Sequence, residues 1–135
     1  QEVSSYLETA LQQESVQQNP LALASIMTQR AAWLLAQGNI TEAENNAQQA
    51  HQIAEGWGNT LIAAEALLVL GRISYAQKNY EPGDAHFEAA LKMLEELGAQ
   101  DEFSHQAVVY AGLLEEWGEV VKALQFYKLA MRRSQ

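Results

Sequence analysis

The chain has 135 residues, of which 48% are apolar and 19% are charged, a composition typical of one globular domain rather than a disordered segment. It contains no cysteine, which excludes disulfides and thiolate metal sites. Eight Lys and Arg against 17 Asp and Glu give a net charge of −9, which argues against direct binding to a nucleic-acid backbone.

Along the chain, side chains of similar size recur at a constant spacing of about 40 residues. The small ones are Ala31, Gly71 and Ala111, then Ala43, Gly83 and Ala123, then Ala50, Ala90 and Ala130. Larger apolar residues recur at Met27 and Leu67, at Ile40, Tyr80 and Val120, and at Phe87 and Tyr127. Turn residues recur at Gly38 and Gly118, and at Gly58 and Gly98. Such self-similarity indicates an array of repeated structural units.

Each unit is predicted to hold two helices, because its apolar residues follow helical spacing on both sides of a turn. In chain order, we predict the second helix of a preceding unit over 1–18, and then complete units over 21–58, 61–98 and 101–135. The turns lie at 36–39, 76–79 and 115–119, and the second helices run over about 41–55, 81–97 and 120–133.

This arrangement is an all-α fold of about seven helices. Because 1–18 lacks a first helix and no polar capping helix follows the last unit, we expect a fragment of a longer protein. The alternative is that the helix over 1–18 is a native cap of the array. Gly38 and Gly118 are expected to take the left-handed conformation that closes a helix.

The repeated pattern resembles the tetratricopeptide repeat (TPR). The consensus of that family places small residues where Gly71, Gly83 and Ala90 stand, and aromatic residues where Tyr80 and Phe87 stand. The best matching stretches are 70–91 and 111–130. The resemblance implies a right-handed superhelical solenoid of antiparallel helix hairpins.

The first unit departs from the consensus, since Ala47 replaces the large aromatic residue and Arg30 stands where Leu is usual. The period is about 40 residues instead of the usual length of about 34 residues, which suggests a long-repeat type. Such repeats are similar to those of spindle-orientation adaptors and of the sensor regions of maltose-regulon-type bacterial transcription activators. The resemblance is specific for the fold and weak for function.

The resemblance also implies a binding groove along the first helices of the units. Its expected lining is Ser25, Thr28, Gln29, Ala32 and Leu35 from the first unit, Glu65, Leu68, Val69, Arg72 and Tyr75 from the second, and His105, Val108, Val109, Gly112, Glu115 and Glu116 from the third. Chaperone-binding members hold a C-terminal carboxylate with Lys, Asn and Arg at set positions of this groove. Here those positions carry Thr28, Ala32, Val69, His105 and Val109, so that clamp is not expected.

Four groove residues have two interpretations each. Arg72, taken here as the only basic residue of the groove, could pair with an anionic ligand, or with Glu65 two turns earlier on the same helix. Tyr75 is either an aromatic contact or part of the groove wall. Glu115 and Glu116 are expected to face the groove and to steer a basic partner, unless they form a solvated rim.

Catalytic and metal-binding motifs were not found. The three histidines fall on different predicted helices, and no nucleophile motif or phosphate-binding loop is present, so we expect neither an enzyme nor a cofactor. No apolar run is long enough to span a membrane, and the start of the chain lacks a signal-peptide pattern, which predicts a cytoplasmic protein.

The leading functional hypothesis is a protein–protein interaction scaffold that binds a peptide segment or a helix in the groove. The alternative is a ligand- or peptide-sensing regulatory region of a bacterial signal-transducing transcription regulator. Self-association through the exposed ends of the array is a third interpretation. A scaffold needs an open groove and a sensor needs an enclosed pocket, so a thermal-shift assay against a metabolite panel would separate the first two hypotheses.

Overall fold

A computed structural model describes residues 2–133, and this part of the chain contains helices and no strand. The helices are α1 (Glu2–Gln12), α2 (Glu14–Gln17), α3 (Pro20–Ala36), α4 (Ile40–Gly56), α5 (Thr60–Ala76), α6 (Tyr80–Glu96), α7 (Gln100–Trp117) and α8 (Val120–Arg133). The outer ends of the first and last predicted segments, residue 1 and residues 134–135, lie outside the described residues. The all-α prediction is confirmed.

From α3 at Pro20 to α8 at Val120, each helix begins 20 residues after the start of the helix before it. Their turns explain this regularity. Gly38 and Gly118 take positive φ values of 84° and 98°, as predicted, and Gly58 and Gly98 also have positive φ. In the first of these turns the amide of Asn39 donates to the carbonyl of Leu34 at 2.9 Å, which satisfies one of the free carbonyls at the end of α3.

The opening segment differs from the prediction of one helix over 1–18. It is broken at Gln13, whose extended backbone (φ −69°, ψ 134°) separates α1 from α2, so the described residues hold eight helices rather than seven. Side-chain hydrogen bonding stabilises the break, because the Gln17 side-chain amide donates to the Leu11 carbonyl, one of the carbonyls left without a helical partner at the end of α1.

Three hairpins, α3–α4, α5–α6 and α7–α8, stack in sequence, with α4 packed on α5 and α6 on α7. The first helices α3 and α5 also lie side by side, as expected for a repeat solenoid. Arg30 connects the opening segment to this stack, because its guanidinium lies 2.6 Å from Glu8 on α1 and 3.3 Å from Glu42 on α4. The non-consensus Arg30 is thus explained by an ion-pair network.

Candidate binding groove

A groove crosses the first helices α3, α5 and α7, and one part of it is a cavity of about 720 Å³ between the second and third hairpins. We call this part the aromatic cavity. It is lined by Leu35, Arg72, Tyr75, Ala76, Lys78, Tyr80, Val108, Val109, Gly112, Leu113, Glu116, Trp117 and Tyr127. Its surface is mostly apolar and aromatic, with three charged side chains, and it opens to solvent.

A second, smaller pocket of about 310 Å³ continues the groove over α3, α5 and α7. We call it the polar pocket. It is lined by Ser25, Thr28, Gln29, Ala32, Glu65, Leu68, Val69, Arg72, Glu102 and Gln106. Arg72 belongs to both linings and therefore stands where the two parts of the groove meet.

Most predicted groove residues lie in one of these two pockets. The aromatic cavity brings together Leu35, Arg72, Tyr75, Val108, Gly112 and Glu116, and the polar pocket brings together Thr28, Gln29, Ala32, Glu65 and Leu68 with the same Arg72. His105 and Glu115 line neither pocket. His105 is exposed on α7, and Glu115 accepts a hydrogen bond from the Tyr127 hydroxyl at 3.0 Å. That these residues bind a ligand stays a prediction.

Sequence reasoning missed one charged residue and several aromatic residues of the cavity. Lys78 lies in the turn between α5 and α6, so the prediction that Arg72 is the only basic residue of the groove is wrong. Tyr80, Trp117 and Tyr127 come from the ends or the second helices of hairpins, which the family's groove pattern does not include. Tyr80 and Tyr127 could have been identified from the sequence, because both belong to the apolar positions that recur at the repeat spacing.

Tyr75 is the centre of the cavity wall. It is buried, and its ring makes edge-to-face contacts with Tyr80 at 5.2 Å and with Trp117 at 6.2 Å. Trp117 in turn stacks on Tyr80, with 4.1 Å between ring centroids and 12° between planes. Because these rings hold one another in place, the wall is preformed, and Trp117, which keeps 38% of its surface exposed, presents an aromatic edge to solvent.

A polar cluster lies behind this wall and joins four helices. The hydroxyls of Tyr75 and Tyr110 both donate to Asp84, the latter at 2.7 Å. Lys122 on α8 pairs with Glu88 at 2.8 Å and with Asp84 at 3.5 Å. These contacts orient the Tyr75 ring that faces the cavity.

The ionisation of this polar cluster reflects its burial. Burial first, and then the hydrogen bond to Asp84, raise the pKa of both the Tyr75 and the Tyr110 hydroxyls. Burial alone would lower the pKa of Lys122, but its contacts with Glu88 and Asp84 outweigh that effect and raise it. The two tyrosines therefore stay neutral donors and the lysine stays charged at physiological pH.

The groove carries a partly buried cation without a counter-ion. Arg72 is half-buried, forms no ion pair or hydrogen bond with the side chains of residues 2–132, and burial lowers the pKa of its guanidinium. The predicted alternative, a pair with Glu65, does not form. Instead burial, followed by the charge of Glu102, raises the pKa of Glu65 in the polar pocket. An anionic group entering the groove would therefore meet an unpaired guanidinium.

Lys78 occupies a backbone conformation that favours glycine. Its φ is 62°, and the equivalent positions of the other two units are Gly38 and Gly118. A side chain at such a φ costs about 1 kcal/mol relative to glycine. The strained residue, Lys78, lines the aromatic cavity. Backbone strain of this kind is common at functional sites.

Comparison with known protein families identifies the fold. A family model described as tetratricopeptide repeat matches residues 22–96, more than half of the chain. The chain belongs to the tetratricopeptide repeat family. No curated protein and no solved structure matches this TPR chain. TPR units generally mediate protein–protein interaction; the long-repeat type suggested by the period stays a prediction.

The described part of the TPR array holds neither a metal-binding cluster nor a membrane-spanning helix. Within residues 2–133, His, Asp and Glu side chains form no group of three that could hold a metal ion. None of the helices in that same stretch combines the length and the apolar character that crossing a membrane requires.

Proposed function

We propose that this TPR array is a protein-interaction scaffold whose groove binds a peptide segment or a helix of a partner, without catalysing a reaction. The observation that carries the proposal is the aromatic cavity, a preformed apolar concavity of about 720 Å³ on the first-helix side of the array. Apolar concavities with a few fixed polar groups are the usual anchoring sites for large side chains.

The aromatic cavity can hold one large side chain of the partner, and the rest of the groove can bind the peptide backbone next to that side chain. Val108 and Val109 from α7 and Tyr75 from α5 together line the aromatic cavity. The polar pocket continues in the direction of α3, where Gln29 and Ser25 offer donors and acceptors for a peptide backbone. An extended peptide or one helix face can therefore contact both pockets at once.

A random peptide library displayed on phage, selected on the immobilised domain, tests the proposal. Val108 is 47% exposed inside the cavity, and V108E would place a charge on its apolar wall. We expect selected peptides to bind V108E at least roughly tenfold more weakly than the unmodified domain, a loss of about 1.4 kcal/mol.

The matched control is V121E, which makes the same substitution at a valine that is 74% exposed on α8, away from both pockets. It should bind the selected peptides like the unmodified domain. Circular dichroism melting of both variants would check that they fold. Equal binding by V108E and V121E would contradict a peptide site in the cavity.

A sensory role is the second candidate. The volume of the same cavity favours it, whereas the opening of the cavity to solvent favours the scaffold. That volume lies in the range of about 300–1,000 Å³ that small-molecule sites occupy. A ligand that binds only the folded protein raises its melting temperature, so a metabolite panel in a thermal-shift assay is the test. A compound that stabilises V121E but not V108E would support this candidate, and an inactive panel would argue against it.

The acidic residues at the groove rim bear on the charge of the partner. Glu116 lines the aromatic cavity, and Glu115 beside it bonds to Tyr127. We propose that they attract basic residues flanking the anchoring segment. Exchanging both for Gln should weaken binding of a selected peptide at low salt and flatten its salt dependence; unchanged low-salt binding would remove this role.

Self-association through the exposed faces of the terminal helices is also proposed. Val121, Leu124 and Met131 are exposed on α8, next to Lys128 and Arg132, whereas α1 exposes Val3 and Tyr6 next to Glu2. These two faces are complementary in charge, so α8 of one copy could pack on α1 of another. Sedimentation should then show a mass that rises with concentration and that L124K lowers; a concentration-independent monomer would contradict this proposal. A cytoplasmic location is likewise proposed.

A further inference from the structure

We propose that the groove recognises a side-chain carboxylate next to a large apolar side chain of the partner, with Arg72 and Lys78 binding the carboxylate and the aromatic cavity holding the apolar group. This inference deepens the proposed peptide-binding function and rests on it. It names the chemistry of the bound segment, which neither the fold nor the family match determines.

Arg72 is the first reason for an anionic ligand. Its guanidinium is half-buried at the junction of the two pockets, and no carboxylate of residues 2–132 pairs with it, although acidic residues outnumber basic ones in this chain. Other partly buried cations of this protein are paired, as Arg30 is with Glu8 and Lys122 is with Glu88. A desolvated guanidinium gains most from a planar carboxylate, which it binds through two parallel hydrogen bonds.

Lys78 is the second reason, and it is independent of the first. The other two units close this helix with Gly38 and Gly118, whereas the second unit places a lysine at φ 62° in the same turn. Glycine would fit the backbone better, so the turn itself does not explain the lysine. Its side chain adds a second positive charge to the lining of the cavity.

The apolar part of the ligand follows from the cavity wall. Tyr75, Tyr80 and Trp117 form an aromatic wall whose rings contact one another, and Val108 and Val109 add apolar surface to the same cavity. A carboxylate bound at Arg72 therefore has an apolar concavity beside it. This combination fits a Glu or Asp that neighbours a Phe, Trp, Leu or Met in the partner.

The charge balance favours a carboxylate over a phosphate. The two pockets that share Arg72 hold two cations and three carboxylates (Glu65, Glu102 and Glu116), within a chain whose net charge is −9. A dianionic phosphate would be repelled more strongly by that chain than a single carboxylate. Basic residues elsewhere in the partner could still meet Glu116, so the acidic rim and the carboxylate site are compatible.

The test uses 3-phenylpropanoate as the probe and its uncharged amide, 3-phenylpropanamide, as the reference, each titrated into the ¹⁵N-labelled domain and followed by NMR. The two compounds share the apolar ring and differ in charge. We expect both to shift resonances around the cavity and the carboxylate to bind roughly tenfold more tightly than the amide. Equal affinities, or no carboxylate-dependent shifts at these residues, would overturn the inference.

Three variants test which residues cause the preference for the carboxylate over the amide. R72Q should reduce the ratio of the two affinities to less than about twofold while the amide still binds. K78G should reduce it partly and also raise the melting temperature, because the strain at φ 62° is removed. K92Q, which removes an exposed lysine of α6 outside both pockets, should leave the ratio unchanged. A full preference in R72Q would overturn the inference.

The peptide-library experiment separates this inference from the proposed function. Peptides that need Val108 but carry no acidic residue, and that bind R72Q normally, would leave the scaffold role standing and remove the carboxylate site. Conversely, an Arg72-dependent preference for the probe with no Val108-dependent peptide would support the anion site and contradict the peptide-binding role.

Discussion

The two seams between neighbouring hairpins are built differently, although the repeat assigns equivalent positions to both. In the first seam α4 packs closely on α5, and every buried residue of α4 is an alanine: Ala43, Ala47, Ala50 and Ala54. In the second seam α6 and α7 approach closely at far fewer points, and Phe87 replaces Ala47. Small side chains bring helices together, whereas large ones hold them apart.

The wider second seam is what makes the aromatic cavity. Phe87 is fully buried and stacks on Tyr110 of α7 with ring centroids 4.7 Å apart. These rings fill the space on one side of the seam and leave the groove side open between α5 and α7. The same array can therefore be closely packed at one seam and concave at the next through a change of side-chain size at one repeat position.

Removing the Phe87 ring should have the largest effect on stability. F87A deletes a fully buried ring from the second seam, and we expect a loss of about 3–5 kcal/mol in the free energy of unfolding, measured by urea denaturation. L124A, at an exposed position of α8, should cost less than about 0.5 kcal/mol. If both variants lost the same small amount, the second seam would not depend on its aromatic packing.

A methyl group added to Gly83 tests how tightly Tyr75 fills the second hairpin. The equivalent residues Ala43 and Ala123 carry a Cβ, but a Cβ at Gly83 would lie 2.6 Å from the Tyr75 ring. We expect G83A to lower the free energy of unfolding by about 1–3 kcal/mol, despite the higher helix propensity of alanine.

The control for this prediction is G112A in α7, where the nearest atom to an added Cβ, the Tyr127 hydroxyl, is 4.0 Å away. That substitution should raise the free energy of unfolding by roughly 0.5–1 kcal/mol, since alanine restricts the unfolded chain. The two glycine variants should thus differ in sign. A stabilising G83A would show that the Tyr75 ring moves freely, against the fixed cavity wall described above.

The polar cluster of the second seam has no counterpart among the described residues of the first. Asp84 accepts hydrogen bonds from Tyr75 and Tyr110 and pairs with Lys122, whereas the equivalent Glu44 in α4 forms none of these contacts. D84N removes the charge, and we expect it to lower the free energy of unfolding by about 1–3 kcal/mol. E44Q should change it by less than about 0.5 kcal/mol. A similar effect of both changes would contradict the asymmetry.

The sequence predicted the regular parts of this structure because they depend on local spacing. The repeat period located the hairpins closely, and the family's groove positions located Arg72 and Val108 in the cavity. The cluster of Asp84 and Lys122 could not be predicted in the same way, since the two residues are far apart in the chain and occupy non-equivalent positions of successive units. Lys78 was missed because its backbone conformation follows from the turn, not from helical spacing.

The smallest expected effect is a pH dependence that originates outside the second seam. Burial first, and then the charge of His51, lower the pKa of His86 on α6 below its ordinary value of 6.5. The unfolded chain then binds a proton more readily than the folded one, so stability is complete above about pH 6.5 and is lost as the pH falls below it. Because His86 is only half-buried, we expect a loss of less than about 1 kcal/mol.

Denaturation at pH 7.5 and 5.5 measures this loss, and H86N should reduce it. His51 on α4, whose Nε2 is buried and 3.9 Å from Glu55, is the neighbour whose charge adds to burial in lowering the pKa of His86. H105N alters an exposed histidine on α7 and should leave the pH dependence unchanged. An H86N variant with the full loss would place the pH sensitivity elsewhere. A reduced loss would assign the acid sensitivity of the folded protein to His86.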